Sequence, residues 1–205
     1  MVFEGGEACG KSTQAALLAA ALDAVLTREP GGTATGEHIR ALLLDPDLPA
    51  FTPRAETLLM LAARAQHVAE VIIPACAAGR DVVCDRFSGS TIAYQGYGRG
   101  LDPAQLGDLS AWAAGGLEAD LVVLLTVPPA EAAARRAARS SAGGGGDRFE
   151  EEEAEFFARV DAGFAALAAA DPTRWRVVDG GGSVEEVASR VAAAVGAGPG
   201  SGSGA

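Results

Sequence analysis

Short apolar runs alternate with longer stretches of helical spacing along the chain. Residues 81–85 (DVVCD) and 120–127 (DLVVLLTV) are largely β-branched or apolar and lack the strict alternation of a half-exposed strand, and residues 174–178 (RWRVV) predict a last strand. Such runs are typical of parallel strands that are covered on both faces. Residues 1–3 and 23–27 predict two further short strands. The pattern therefore predicts about five strands.

Helical patterns separate these strands. The longest covers residues 53–78: Thr52 is a good N-cap, Pro53 suits the first helical position, and Gly79 ends the pattern. Alternating strands and helices predict an α/β fold, with a parallel sheet covered by helices on both faces through right-handed crossovers. The other predicted helices cover residues 13–22, 37–44, 88–95, 103–114, 129–139, 147–170 and 183–195.

The domain organisation follows from length and glycine content. A chain of 205 residues with 49% hydrophobic content can bury one full core, which predicts a single domain over residues 1–195. The run SSAGGGG at 140–146 is too flexible for a core and predicts a lid at about 135–150. Residues 196–205 (GAGPGSGSGA) lack any apolar period and predict a disordered tail.

Charge and cysteine usage exclude several classes of function. A net charge of −11 argues against a general nucleic-acid surface or an anionic membrane surface. Three cysteines and two histidines, in no metal-ligand spacing, cannot form a zinc site, and they fit a reduced cytoplasm. No signal peptide or membrane-length apolar run is expected. We therefore expect a cytoplasmic protein with no nucleic-acid or membrane partner.

Residues 5–12 (GGEACGKS) match the phosphate-binding pattern G-x-x-x-x-G-K-[ST], between a predicted strand and a predicted helix. Gly5 and Gly10 permit backbone angles that point successive N–H groups at one anion. Lys11 can reach the β- and γ-phosphates, and the Ser12 hydroxyl can bind Mg²⁺. A chance match is the alternative, and the flanking strand and helix argue against it. The predicted ATP-phosphate site comprises Gly5, Gly6, Glu7, Ala8, Cys9, Gly10, Lys11, Ser12 and Thr13.

A second group follows the strand at 81–85. Ligands in open parallel sheets bind beyond the carboxyl ends of the strands, so Asp85 is a candidate Mg²⁺ ligand and Arg86 a candidate phosphate clamp. An ordinary surface ion pair is the alternative. Arg40 and Arg64 are further candidate ligands, although lone arginines are more often solvated. The polar residues after Arg86 are Ser90, Thr91, Tyr94 and Gln95.

Basic side chains also flank the glycine-rich break. Arg135 and Arg139 are four residues apart and share one helix face, and Arg148 follows the break. Arginines beside a flexible hinge suit a lid that closes over a reacting phosphate. A solvated basic helix end is the alternative.

Together these motifs resemble the bacterial thymidylate kinase family, of the type that supplies arginines from its lid. They occur in the family's order and extend from the phosphate loop to the lid. The matching stretches are FEGGEACGKSTQ at 3–14, TREPGGT at 27–33, GEHIR at 36–40, TPRAETLLMLAARAQH at 52–67, DRFSGSTIAYQGYGRGLD at 85–102 and DRFE at 147–150.

The resemblance implies a P-loop kinase fold, ATP as donor, Mg²⁺ as cofactor, dTMP as acceptor, and a homodimer. It also implies catalytic roles for Lys11, Asp85, Arg86 and the lid arginines Arg135, Arg139 and Arg148. On the acceptor side it assigns Glu7 to the sugar 3′-hydroxyl, Arg40 and Arg86 to the phosphate, Arg64 to the thymine edge, Ser90 and Thr91 to the base, Tyr94 to exclusion of a ribose 2′-hydroxyl, and Gln95 to the same pocket.

Three features depart from the family pattern. The lid has extra glycines between Arg139 and Asp147, which leaves open which arginine reaches the phosphate. Met60 occupies a place where the family commonly has Phe stacked on thymine, and a polarisable Met side chain can still cover a base. Thr126 replaces an Asp that is usual at the end of the fourth strand. Two alternative functions remain at this point: a kinase for another nucleoside monophosphate, such as dUMP or CMP, and a nucleotide-binding regulator that has lost transfer.

Overall fold

The computed structural model describes residues 1–141 and 152–196, with side chains described up to residue 138 in the first range. Its strands are β1 (Val2–Glu4), β2 (Val25–Arg28), β3 (Val82–Asp85), β4 (Val122–Thr126) and β5 (Trp175–Asp179). They run parallel in the order β2-β3-β1-β4-β5. The predicted α/β fold, with a parallel sheet of about five strands, is confirmed.

The helices cover both faces of the sheet. Thr52 accepts a hydrogen bond from Ala55 N, and Pro53 occupies the first helical position, as the sequence predicts. Within the described residues the helices are α1 (Lys11–Leu22), α2 (Ala34–Leu44), α3 (Pro53–His67), α4 (Ile73–Ala77), α5 (Ser88–Thr91), α6 (Pro103–Ala113), α7 (Pro129–Ser141), α8 (Ala154–Ala170) and α9 (Val184–Gly196).

The core lies against the three central strands. Phe3, Val83 and Val123 are fully buried, which explains why β1, β3 and β4 lack alternation in the sequence. One face packs against α1 and α9 through a cluster that includes these three residues. The other face packs against α8, where Phe156 and Phe164 contribute to a second cluster with Leu124 of β4.

The helices differ from the prediction in several places, and α2 begins at Ala34 instead of residue 37. The predicted helix 53–78 contains a π-helical segment, Val68–Ile72, and α5 continues into a second one, Ile92–Gly98. The last long helix begins at Ala154, because Glu153 is extended. Residues 142–151 of the predicted lid and 197–205 of the predicted tail lie outside the described residues.

One helical stretch is apolar over a membrane-spanning length, which the sequence did not lead us to expect. Pro53–Ala77 spans 25 residues and could cross a membrane by length and composition alone. A core helix passes the same test, so this observation is weak evidence for a membrane span. The stretch also places the polar side chains of Arg64 and His67 in the protein interior.

Strand register brings three chain segments together at one edge of the sheet. Phe3 pairs with Asp85, and Arg28 of β2 also pairs with Asp85. The residues that follow these strands are therefore neighbours at the carboxyl edge, where open parallel sheets bind ligands. The phosphate-binding pattern follows β1 at this edge.

Candidate active site

The loop from Gly5 to Ser12 joins β1 to α1 in a conformation that requires glycine. Gly5 has φ +145°, and a Cβ there would lie 2.4 Å from the backbone oxygen of Leu125. Gly10 has φ +90° and is the N-cap of α1. The loop therefore ends at the positive end of a helix of three turns, which is a favourable place for an anion.

The side chain of Lys11 lies at the cavity, whereas that of Cys9 lies in the core. The ammonium of Lys11 donates to Gly6 O at 3.0 Å, and the residue lines the large cavity beside the loop. The Cys9 side chain is buried in the core with Phe3 and Leu125. A contact of Cys9 with phosphate would therefore use its backbone N–H.

Ser12 and Asp85 form the part of the site that suits a cation. The Ser12 hydroxyl donates to Asp85 Oδ2, while Asp85 Oδ1 is buried and has no hydrogen-bond partner among the described residues. Mg²⁺ prefers hard oxygen ligands and is commonly held by one or two protein groups together with phosphates and water. These residues fit such an ion. The described residues contain no cluster of three His, Cys, Asp or Glu that could hold a metal by itself.

Arg86 connects the phosphate loop to the opposite wall. It has φ +73°, and its Nη1 donates to Gly5 O and Ser90 Oγ, both at 3.0 Å. Its Nη2 donates to Glu7 Oε1 at 2.5 Å and to Tyr94 OH at 3.1 Å. Burial alone would lower the pKa of Arg86, but the surrounding oxygens, including the Glu7 carboxylate, outweigh it and raise the pKa. The guanidinium therefore remains charged.

Tyr94 completes this group. Its hydroxyl donates to Glu7 Oε1 at 2.9 Å, and the Arg86 guanidinium lies 4.9 Å from the centre of its ring. Burial raises the pKa of Tyr94 well above its ordinary value, so the hydroxyl keeps its proton. Tyr94 can thus act as a donor at neutral pH.

Glu4 belongs to the same group, and the sequence analysis missed it. Its Oε1 accepts from the backbone N–H groups of Phe87 and Ser90, both at 3.0 Å, and its Oε2 accepts from Ser90 Oγ. Burial raises the pKa of Glu4 from 4.5 to about 7. The sequence signal that could have identified Glu4 is its place at the end of a buried strand, directly before the first glycine of the motif.

The far end of the cavity contains the remaining arginines. Arg40 donates to Pro30 O at 3.0 Å. Arg64 donates through Nη2 to Thr91 Oγ1 at 3.0 Å and through Nη1 to Ser110 Oγ at 3.2 Å. Gln95 donates to Glu56 Oε1 at 2.9 Å. Both arginines are therefore held by hydrogen bonds, and Arg64 is buried.

One cavity of about 650 Å³ joins these groups. Gly5, Gly6 and Cys9 shape the phosphate loop but do not line this cavity. The predicted residues that line it are Glu7, Ala8, Gly10, Lys11, Ser12, Thr13, Arg40, Met60, Arg64, Asp85, Arg86, Ser90, Thr91, Tyr94 and Gln95.

The predicted lid arginines are only partly described. Arg135 on α7 donates to Gly180 O at 3.0 Å and to Ala8 O at 3.5 Å, and so contacts the phosphate loop. Arg139 lies on α7, but its side chain lies outside the described part of the chain, and so does Arg148 entirely. The neighbouring Arg136 lies 4.3 Å from the ring centre of Phe157.

The parallel sheet with its phosphate loop, and a single cavity with basic groups at both ends, define a nucleotide-binding protein of the P-loop kinase class. Residues 3–191 match the family model for thymidylate kinase. The chain is 50% identical to a thymidylate kinase of Solidesulfovibrio magneticus over 204 residues, which is 96% of this chain and 98% of that relative. It is also 50% identical to a thymidylate kinase of Synechococcus sp. over 196 residues, 93% of this chain and 92% of that relative.

Among solved structures, thymidylate kinase from Ehrlichia chaffeensis has the same fold. The TM-score is 0.75 at 30% sequence identity, and the match covers 95% of this chain and 96% of the other. The chain belongs to the thymidylate kinase family.

Proposed function

We propose that this protein transfers the γ-phosphoryl group of ATP to dTMP and produces dTDP and ADP, a step in dTTP synthesis. The observation that best supports this function is the single cavity that joins the phosphate loop to a second basic end at Arg40 and Arg64. A kinase needs both ends, because donor and acceptor phosphates must meet in line. The curated relatives named thymidylate kinase support dTMP as the acceptor.

On the donor side, the loop 5–12 holds the ATP phosphates. Its backbone N–H groups and Lys11 bind the β- and γ-phosphates, and Ser12 and Asp85 hold Mg²⁺. The ion, when bound, neutralises charge that develops on the phosphate oxygens. The buried, unpartnered Oδ1 of Asp85 supports this assignment.

On the acceptor side, the same cavity holds dTMP. Arg86 and Arg40 bind its phosphate, and Glu7 and Tyr94 contact its sugar. Met60, half-buried beside the cluster that contains Tyr94, covers the base. The residues that contact the base edge are Arg64, Ser90, Thr91 and Gln95.

Phosphoryl transfer needs no general base here. The attacking oxygen belongs to the dTMP phosphate and is already anionic near neutral pH. The barrier falls through alignment of the two phosphates and through neutralisation of charge in the transition state. Lys11, Arg86 and the lid arginines Arg135, Arg139 and Arg148 supply that positive charge.

We further propose that the protein is a cytoplasmic homodimer that binds neither nucleic acid nor membranes. Helices α3 and α6 lie side by side through the contact of Arg64 with Ser110, and they expose Leu58, Leu109 and Trp112. A second copy of the chain would cover these apolar side chains. Sedimentation of the purified protein at micromolar concentration tests the dimer, and a monomer throughout would refute it.

Direct product analysis tests the reaction. The purified chain is incubated with ATP, Mg²⁺ and dTMP, and nucleotides are separated by chromatography. We expect dTDP and ADP in equal amounts, and no dTDP from the K11A variant. ADP that forms without dTDP, or no turnover by wild type, would refute the proposed function.

A further inference from the structure

A buried group of polar side chains lies at the acceptor end of the cavity, and three of its members, Thr27, Glu29 and Arg64, line it. Glu29 accepts from Arg64 Nε at 2.7 Å through Oε2 and contacts His67 Nδ1 at 2.9 Å through Oε1. His67 Nε2 lies 2.6 Å from Thr27 Oγ1. The side chain of His67 is 0% exposed, and those of Arg64 and Glu29 are 3% and 5% exposed. The proposed reaction assigns no role to Glu29, His67 or Thr27.

The contacts of His67 fit one assignment of donors and acceptors. An imidazole that donates from Nδ1 to Glu29 can accept the Thr27 hydroxyl proton at Nε2. Each carboxylate oxygen of Glu29 then receives one donor. Burial of a charged pair is costly unless its hydrogen bonds are satisfied, so the bonds of Glu29 to Arg64 and His67 restrict the positions of these three side chains.

The fixed position matters most for Arg64. A guanidinium has five N–H groups, and three are used by Glu29, Thr91 and Ser110. The guanidinium carbon also lies 5.0 Å from the ring centre of Phe87. Among the described residues, one N–H on each terminal nitrogen has no partner, and Arg64 lines the cavity.

We propose that Glu29 and His67 are positioning residues that determine which pyrimidine the cavity accepts. They hold the Arg64 guanidinium so that its available N–H groups meet a carbonyl oxygen on the base edge. Thymine presents a carbonyl at position 4, whereas cytosine presents an amino group there, which leaves two donors facing each other. A buried mismatch of this kind discriminates strongly between ligands. The inference rests on the proposed function, because it places a nucleotide base in this cavity.

Two substitutions of His67 separate its two nitrogens. The side-chain nitrogen of Asn can occupy the place of Nδ1, so H67N keeps the donor to Glu29. The side-chain oxygen of Gln can occupy the place of Nε2, so H67Q keeps an acceptor for the Thr27 hydroxyl and loses the donor to Glu29. E29Q removes one acceptor oxygen directly, and T27V removes one hydroxyl from the same buried group without a change at Glu29.

The readout is the ratio of kcat/KM for dTMP to kcat/KM for dCMP. We expect H67Q and E29Q to lower this ratio about tenfold, mainly through a higher KM for dTMP, since tenfold corresponds to a modest loss of binding energy. H67N and T27V should retain the wild-type ratio. Thermal unfolding shows whether each variant is folded. If H67Q does not fold, the ratio measured for E29Q tests the proposal.

The outcomes separate this inference from the proposed function. No dTMP-dependent ADP formation by wild type would overturn both. An active wild type with an unchanged dTMP to dCMP ratio in folded H67Q and E29Q would overturn the positioning role alone. Equal loss of the ratio in H67N and H67Q would also overturn it, because the donor to Glu29 would then be irrelevant.

Discussion

Nη2 of Arg86 and Oε1 of Glu7 lie 2.5 Å apart, although Glu7 belongs to the phosphate loop and Arg86 follows the neighbouring strand β3. Arg86 also donates to Gly5 O, and the Tyr94 hydroxyl donates to the same oxygen of Glu7. The donor loop and the proposed acceptor clamp are thus joined by direct hydrogen bonds. A displacement of either one is expected to displace the other.

The first prediction concerns Arg86. Hydrogen bonds to charged groups contribute about 1.5–3 kcal/mol each, so R86A should lower kcat/KM for dTMP by about 100-fold. R86K should recover only part of the loss, because an ammonium cannot bind two oxygens with a planar fork. Steady-state kinetics measure both.

The matched control is R174A. Arg174 forms an ion pair with Glu118 at 2.7 Å, remote from the cavity lining. This variant should retain wild-type kinetics. If R86A also keeps wild-type kcat/KM for dTMP, Arg86 does not bind the acceptor.

The second prediction concerns Glu4 and pH. The pKa of Glu4 is raised to about 7 by burial, whereas an unfolded Glu titrates near 4.5. Between these values the folded protein binds the proton and the unfolded chain does not, so stability falls as pH rises through this window. The E4Q variant cannot titrate there. We therefore expect the free energy of unfolding of E4Q to increase relative to that of wild type from pH 5 to pH 8.

Urea unfolding of both proteins across that pH range measures the difference. Other titrating groups contribute to both proteins and cancel. The exposed variant E118Q should show no such trend. A constant difference between E4Q and wild type would mean that Glu4 does not titrate in this window.

The third prediction concerns Met60. If Met60 covers the base, M60F should keep or lower the KM for dTMP, since an aromatic ring can stack on thymine. M60A should raise it, because loss of a base-covering side chain costs about 1–3 kcal/mol. An unchanged KM for dTMP in M60A would assign Met60 to the core rather than to the base.

The fourth prediction concerns the lid arginines. Arg135 contacts Ala8 O and Gly180 O, so R135A should raise the KM for ATP as well as lower kcat. R139A should lower kcat by at least about tenfold with little change in the KM for ATP, as expected for a contact made in the transition state. Intact kcat in a variant with Ala at 135, 139 and 148 would exclude lid arginines from catalysis.

The strands and the phosphate loop were predictable because their signals are local. Fully buried parallel strands give apolar runs without alternation, and the glycines at 5 and 10 are required by backbone angles and by the close approach of Leu125. The resemblance to a family added the roles of Arg40, Arg64 and Met60, which no spacing rule provides.

The buried polar partners were not predictable. Glu4 binds Ser90, and Glu29 binds His67, across separations of 86 and 38 residues. A charged residue that pairs over such a distance has no local pattern to distinguish it from a solvated one. The π-helical segments are another such case, because the helical spacing of apolar residues continues through them.

The most direct test of the account compares four acceptors on the wild-type protein. ADP formation from ATP and Mg²⁺ is measured in a coupled assay with dTMP, dUMP, dCMP and dGMP, each over a range of concentrations. The account predicts the highest kcat/KM for dTMP and the lowest for the purine dGMP. A higher kcat/KM for any of the other three, or no acceptor-dependent ADP formation, would contradict it.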